Sequence, residues 1–494
     1  MQQLISRKTL RASLDLSLTL ILMNSLLLGL PAVFYSLLLK QGGSLLPLQL
    51  VISGLYLLAT ILIVVETAVV FWAISQPKEV ACRGLLQRLF GQRVLGRTKD
   101  KKRLPFWEPQ LWRRPRVSIV IVAYLPNEQG IILETLNHIL AQVRWPQSRL
   151  EVILAYNTPT TLPVEADLHM LSRHYPTLKL LRVEDSTSKA ENLNAALKVI
   201  SGEMTCIFDA DHHPSPDCLE RAWAWLEQGR YDLVQGRNVI RNHDETWLTR
   251  LIAIEFESLY GVSHYGRSLL VDTALFGGSN GYWRTSVLQE TCFRSTMLTE
   301  DIDATLRALM KGYRIVHDPY VVTTELAPTD ISALWSQRRR WSQGWLEVAL
   351  AHQQRVMRSR HFDLPQRSYW LIMLLYSEAF HPLALQIIPM TLSLSLSGLA
   401  MSTALFKFTL ISTVFTLFSG FYQVSAAMRF RNPVIVFPTS YFVLYSLLSP
   451  FYFWFKSLVA VVALSYHLGG RREWHVTRRA AQKPKVHMLD AVLR

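Results

Sequence analysis

From Leu16 to Leu39 the chain carries no charged residue, and a second apolar run follows at once from Gln41 to Val65, passing Glu66 to reach Ala73. A helix needs roughly 20 apolar residues to cross a hydrocarbon core, so each run is long enough for one span. A secretory signal peptide is the rival reading for the first run, but the run is too long for one and no small-residue cleavage site separates it from the second. A chain that begins this way must keep its ends in lipid and its polar middle outside. The apolar excess returns after Tyr369: it is interrupted by Glu378, stays uncharged to Lys407, resumes from Phe408 to Met428, and runs from Asn432 to Gly470 broken only by Lys456. The last stretch has room for two short spans turning near Ser449-Pro450, which gives four C-terminal spans, or three if Lys456 and Pro450 leave it as one.

The net charge of +15 would suit a nucleic-acid binder, but its distribution excludes that class. Arg7, Lys8 and Arg11 precede the first run, and eleven basic residues from Arg83 to Arg116 follow the second. Arg429 and Arg431 sit between the later runs, and Arg471, Arg472, Arg478, Arg479, Lys483 and Lys485 fill the tail. Positive residues beside spans mark the cytoplasmic side. With two plus four spans all these clusters fall on one side, which makes the chain a multi-pass protein of the plasma or inner membrane with its middle segment in the cytoplasm. Cys82, Cys206, Cys218 and Cys292 show no metal-ligand spacing and suit reduced structural thiols.

The expected organisation is two spans over 14–75, a domain over 105–345, an amphipathic interfacial segment over 346–368, three to four spans over 369–468, and a basic tail over 469–494, too short for a further domain. Within the domain, Pro115 to Tyr124 is a continuous β-branched run, which suits a buried parallel strand. Gly130 to Gln142 reads as a helix; Leu150 to Tyr156, Leu178 to Val183 and Met204 to Phe208 read as further strands. Strands alternating with helices predict a doubly wound α/β sheet whose ligands bind at the carboxyl ends of the strands.

The fourth strand runs into Asp209-Ala210-Asp211, two carboxylates that can share a divalent cation, Mg²⁺ or Mn²⁺, on a diphosphate. Thr299-Glu300-Asp301 opens an apparent helix, where Thr as a cap and acids at the positive dipole end would also be at home. Gln337-Arg338-Arg339-Arg340-Trp341 sets guanidinium groups, able to clamp phosphate, beside an indole able to face a sugar ring; a basic patch on lipid headgroups is the plainer reading.

In this order and spacing, Asp-x-Asp, Thr-Glu-Asp and Gln-x-x-Arg-Trp resemble family 2 glycosyltransferases, especially the membrane synthases of cellulose, hyaluronan, chitin and mannan. The resemblance extends from about residue 15 to 480. Ser188 to Asn194 looks like the family's Lys-Ala-Gly-Asn-Leu-Asn nucleotide segment, Phe276 to Gly281 like its Gly-rich acceptor loop, and Trp474 to Arg479 like its Phe-x-Val-Thr-x-Lys gating loop. It implies a GT-A-type domain set between the two groups of spans. It also implies that Asp301 is the general base, that Asp209 and Asp211 hold the metal with Asp209 also meeting the nucleotide, and that Glu128, Asn157, Lys189, Asn192, Gln337 and Arg340 bind the nucleotide sugar. Gly278, Ser279, Asn280, Glu300 and Trp341 would bind the acceptor, and Trp474, Val476, Thr477 and Arg479 would gate the site.

Two departures stand out. Asn157-Thr158-Pro159 replaces the family's Asp-Asp-Gly after the second strand, and Leu125-Pro126 separates Tyr124 from Asn127. The implied reaction is an inverting transfer from a nucleotide sugar, UDP-hexose by resemblance, building a β-linked polysaccharide that passes out through the protein's own spans, with export or accessory subunits as further partners. The alternative is one addition to a lipid acceptor such as diacylglycerol or polyprenyl phosphate. Glu378, His381, Tyr376 and Tyr441 are candidates for a polar path through the spans.

Overall fold

The computed structural model describes residue 18 and residues 21–75, 113–397 and 403–471; the basic stretch from Arg83 to Lys102, Cys82, and the expected loop at Trp474, Val476, Thr477 and Arg479 lie outside the described residues. The first apolar helix, Ile21–Lys40, holds a π-helical turn at Ser25–Gly29 and then α1 (Leu30–Lys40). The wider turn comes just before Pro31, whose ring and absent N–H do not fit regular α-helix. A turn at Gln41 and Gly42 leads back into α2 (Leu46–Ser75).

The α/β domain follows as β1 (Val117–Tyr124), α3 (Ile132–Gln142), β2 (Leu150–Asn157), α4 (Val164–His174), β3 (Leu178–Arg182), α5 (Lys189–Ala196) and β4 (Met204–Asp209). It continues through β5 (His213–Pro214), α6 (Cys218–Glu227), β6 (Leu233–Ile240), α7 (Trp247–Ser258), α8 (Tyr265–Val271), β7 (Gly281–Arg284), α9 (Thr285–Thr291), α10 (Glu300–Met310), β8 (Ile315–Glu325) and α11 (Ile331–Arg358). The apolar helices α12 (Leu364–Ala384), α13 (Ile387–Leu396), α14 (Thr403–Arg429) and α15 (Ser440–Leu468) close the described chain.

The sheet order is β3-β2-β1-β4-β7-β6-β8-β5. The four strands expected from their apolar runs all form and pair in parallel. β7 runs antiparallel to both β4 and β6, so the wound α/β sheet is a mixed one. Both faces are covered: Ile119 and Ile121 of β1 point into one core, and Val120 and Val122 into the other.

The apolar helices differ from expectation in two places. Asn432 to Gly470 does not make a hairpin at Pro450; α15 is one helix with Pro450 inside it. The carbonyl of Ser446, which the absent Pro450 N–H would have bonded, accepts instead from the Ser449 hydroxyl at 2.7 Å. The expected border at residue 345 also falls inside one helix, α11. Between α12 and α13 the chain bends by 63°, and side chains from other helices meet the polar groups at the break. Tyr56 donates to the Ala384 carbonyl at 3.1 Å, Gln386 to the Leu27 carbonyl at 3.1 Å, and Tyr35 to Gln386 at 2.9 Å. In lipid no water would replace these bonds. α2 and α14 are zipped by hydroxyls and an amide, with Gln49 donating to Thr409 at 3.0 Å and Thr60 meeting Thr416 at 2.8 Å.

Of the candidates for a polar path, three are engaged locally: Tyr376 stacks on Phe380, the His381 ring packs on Phe453, and Tyr441 accepts from Arg250; the Glu378 side chain lies outside the described residues. α15 touches the α/β domain near both its ends. Arg250 of α7 meets Tyr441 at 2.8 Å, and at the other end Arg339 of α11 lies 4.2 Å from the Tyr466 ring centroid while Gln343 donates to the Arg471 carbonyl at 2.9 Å.

The domain is fixed to the apolar helices through buried charge. Glu66 of α2 accepts from the Tyr369 hydroxyl, which accepts in turn from Arg267 Nε of α8 at 2.9 Å. α8 comes so close that a Cβ on Gly266 would stand 2.7 Å from the Glu66 carbonyl oxygen. Removing one member of such a set leaves an uncompensated buried charge, so Glu66→Leu should cost roughly 3–5 kcal/mol and lower the thermal midpoint in detergent. Adding Arg267→Met should recover most of that loss; if it does not, charge compensation is not what joins these helices.

Candidate active site

Most of the expected residues meet in one cavity. Its floor is the carboxyl ends of β1 and β4, and its walls are the first turns of α5 and α10, the loop before β7, and α11. The fold explains this convergence: strand ends, helix N-termini and the loops between them lie on one rim of a wound sheet.

α5 begins at Ser188, whose hydroxyl accepts from the Glu191 N–H at 3.3 Å, and this cap fixes the direction of the next residue, Lys189. Lys189 Nζ binds the Asp209 carboxylate and donates to the Gly278 carbonyl at 2.8 Å. Gly278 has φ of +82°, and a Cβ there would sit 2.8 Å from Asp301 Oδ2. Only glycine permits both that backbone conformation and that approach. The loop itself is held from below, where Gln235 accepts from the Gly277 N–H at 3.0 Å and Ser279 Oγ accepts from the Asp209 N–H at 3.0 Å.

Asp301 stands in the first turn of α10, its Oδ1 accepting from the Ile302 N–H at 2.9 Å. Burial pushes its carboxyl up to about 7; the neighbouring Glu300 charge adds to the rise, while Lys189, the Ile302 N–H and Arg340 oppose it. Glu300 is also raised, by burial above all. Thr299 occupies the N-cap position without the expected capping bond, and its hydroxyl has no partner among the described residues.

From α11, Gln337, Arg340 and Trp341 face the cavity. Gln337 Oε1 and Arg340 Nε are buried without a partner among the described residues. The Arg338 guanidinium is packed 4.3 Å from the Trp341 ring centroid and is held by Glu255 of α7 at 2.6 Å and the Tyr452 hydroxyl of α15 at 3.1 Å. Trp341 is therefore braced from the side of the apolar helices.

Three expected residues lie outside the cavity lining. Asn157 is tied to Ser186 and Asn192. Asn280 is buried with φ of +53° and bonds Asn238, Val321 and Tyr282, so it supports the loop from within. The Asp211 carboxylate faces His212 at 3.2 Å and accepts from the Leu326 N–H at 2.9 Å. Conversely, His212, Asn238, Phe256, Tyr260 and Glu325 line the cavity without having been foreseen. His212 bridges Asp211 and Glu325, the latter at 2.9 Å. Burial alone would lower its pKa, but hydrogen bonds to those two carboxylates raise it to about 9, which favours the protonated ring. Its place directly after Asp-x-Asp was the one available signal; nothing local to Tyr260 or Glu325 marked them.

The cavity can thus hold an anion against Lys189 and Arg340, take a proton at Asp301, and offer an aromatic face at Trp341. If Asp301 acts as a base it must be deprotonated. With its pKa raised, kcat should fall about tenfold per pH unit below an apparent pKa near 7, and Glu300→Gln should move that limb to lower pH by removing a neighbouring negative charge. A flat profile between pH 5 and 8, at saturating substrate, would refute the assignment.

Residues 205–466 match the family model described as glycosyl transferase family group 2, and residues 118–291 match glycosyl transferase family 2. The chain is 26% identical over 255 residues to the probable glycosyltransferase YdaM of Bacillus subtilis (strain 168), covering 51% of this chain and 60% of that protein. It is 26% identical over 253 residues to poly-beta-1,6-N-acetyl-D-glucosamine synthase of Staphylococcus aureus (strain MSSA476), covering 50% of this chain and 59% of that protein. The matched region thus spans about three fifths of these curated relatives. Among solved structures, the mannosyltransferase PcManGT from Pyrobaculum calidifontis, in complex with GDP-Man and Mn²⁺, superposes with a TM-score of 0.54 at 20% identity, covering 86% of this chain and 100% of that one. That likeness is one of fold.

Proposed function

Because this chain belongs to glycosyl transferase family group 2, we propose that it is a membrane-embedded inverting transferase that moves a hexose from a UDP-sugar onto a growing β-linked polysaccharide. It is an enzyme of the family 2 glycosyltransferase type, with a polysaccharide synthase among its relatives. The observation that carries the finer reading is the convergence of Lys189, Asp209, Asp301, Arg340 and Trp341 on one cavity whose aromatic wall is braced by the apolar helices.

In this reading Trp341 stacks on the acceptor sugar, with Gly278 and Ser279 shaping the wall opposite. Asp301 takes the proton from the acceptor hydroxyl, whose oxygen attacks the anomeric carbon from the face opposite the leaving diphosphate. One displacement inverts configuration. Lys189, Gln337 and Arg340 hold the diphosphate as charge grows on it. Asp209 and Asp211 offer hard oxygen donors of the kind Mg²⁺ and Mn²⁺ take, and such ions complete their shells with phosphate and water. Among the described residues no three acidic, His or Cys side chains are gathered around a common metal position, so the donor itself would supply further ligands. A bound cation would neutralise the leaving diphosphate. The cavity's carboxylates, Glu128, Asp209, Glu300, Asp301 and Glu325, favour a diphosphate that arrives with a cation.

The helices support a four-span reading: Ile21–Lys40, α2, the bent pair α12 and α13, and α14. α15 is long and apolar enough to span, but its contacts to the domain near both ends favour a course along the membrane surface. At about 1.5 Å per residue a crossing helix would carry one end past a core of roughly 30 Å, away from the domain. The tail then leaves Arg471 on the domain's side, where Trp474, Val476, Thr477 and Arg479 could gate the cavity.

The test is turnover in lipid nanodiscs with labelled nucleotide sugars and Mg²⁺ or Mn²⁺, the products divided into lipid-soluble and high-molecular-weight fractions. Label should enter the high-molecular-weight fraction, vanish with a chelator, and fall at least about 100-fold in Asp301→Asn. Label confined to a lipid bearing one sugar would replace polymer synthesis with single addition.

A further inference from the structure

We propose that Asn192, and not Asn157, reads the donor's base, and that it does so as a hydrogen-bond acceptor, which restricts the donor to nucleotides whose base carries a ring N–H. This rests on the donor-site reading above and names the nucleotide class that site takes.

A chain of hydrogen bonds, its direction fixed at one end, sets the orientation of both amides. The Ser186 carbonyl can only accept, so the amide nitrogen of Asn157 must face it, at 2.8 Å. Asn157 Oδ1 then points the other way and accepts from Asn192 Nδ2 at 2.8 Å. The second hydrogen of that nitrogen lies toward the Ala123 carbonyl, 3.5 Å away. Asn192 is therefore locked with its oxygen turned from Asn157. Asn192 is only 2% exposed, lines the cavity beside Ala123, Tyr124 and Glu128, and its Oδ1 has no hydrogen-bond partner among the described residues. Flipping the amide would oppose two nitrogens or two oxygens along the chain, so the orientation is set by chemistry.

A buried carbonyl oxygen without a donor is costly, and a ligand that supplies one recovers that cost on binding. Uracil and thymine present N3–H, and guanine presents N1–H. Cytosine N3 and adenine N1 are acceptors and would set oxygen against a lone pair. Asn157 has no such freedom, since both ends of its amide are spent within the protein. The substitution at the end of β2 thus transfers base reading by one residue through a relay, from the strand end to α5.

The experiment is equilibrium binding of UDP, CDP and N3-methyl-UDP, with Mg²⁺ or Mn²⁺, to the full chain in nanodiscs. UDP should bind about tenfold or more tighter than CDP or N3-methyl-UDP. In Asn192→Ala, checked for folding by its thermal midpoint, UDP should weaken by about that factor and the preference should disappear. The methylated nucleotide tests the wild-type protein directly, so the result stands even if the variant does not fold. If N3-methyl-UDP binds as tightly as UDP, Oδ1 meets a ribose hydroxyl or nothing, and the inference is wrong. Survival of the preference in Asn192→Ala would overturn it equally. If neither these three diphosphates nor GDP binds, it is the donor-site reading itself that fails.

Discussion

The ammonium of Lys189 is the charge on which the cavity depends. Three carboxylates, Asp209, Glu300 and Asp301, converge at one rim of the sheet, and without a buried cation among them their repulsion would drive the walls apart. Burial works against the Lys189 charge, yet those acids raise its pKa. The ammonium also bonds the Gly278 carbonyl, so one side chain ties α5, the end of β4 and the loop before β7 into a single surface. Asp301 still stays only partly neutralised: burial opposes its charge and Glu300 adds to the rise, while Lys189 and Arg340 pull the other way.

A second set of charges joins the domain to the apolar helices. Glu66 faces Arg267 through Tyr369; Glu257 and Arg237 hold each other and reach the chain just past α14 through the Asn432 N–H and the Phe430 carbonyl; and Glu255 holds Arg338 while also receiving Lys456 and Tyr452 from α15. Desolvated charges tolerate little misalignment, because separating a pair leaves each member buried and alone. Apolar contacts alone would let the helices slide under the domain; these pairs give the docking a register. The Glu255 set matters most for chemistry, since Arg338 passes that register on to the Trp341 indole.

Much of this was readable in the chain. β1, β2 and β4 read as near-continuous apolar runs because both faces of those strands are buried, while the edge strand β3, with Lys179 and Arg182 exposed, carries a weaker signal. Lys189, Asp209, Asp301, Arg340 and Trp341 were found through motif order, and the sheet's winding brings them together. What escaped the reading depends on partners distant in sequence. Asn157 is adjacent to the site but spent on Ser186 and Asn192, and no local pattern reveals how an amide is oriented. Glu325 and Tyr260 reach the cavity only because β8 pairs beside β6 and because a π-helical turn at Leu259–His264 interrupts the helix after α7. Pro450 suggested a turn, and the hydroxyl one residue earlier removes the reason for it.

The bond between Gln343 and the Arg471 carbonyl has a consequence of scale. Gln343 lies six residues along α11 from Gln337, roughly 9 Å at helical rise. The Arg471 carbonyl is therefore held by the same helix that carries Gln337, Arg340 and Trp341 into the cavity. One element thus serves two places at once: a displacement of α11 that repacked Trp341 would also strain the bond at Arg471, and a pull there would be felt at the indole.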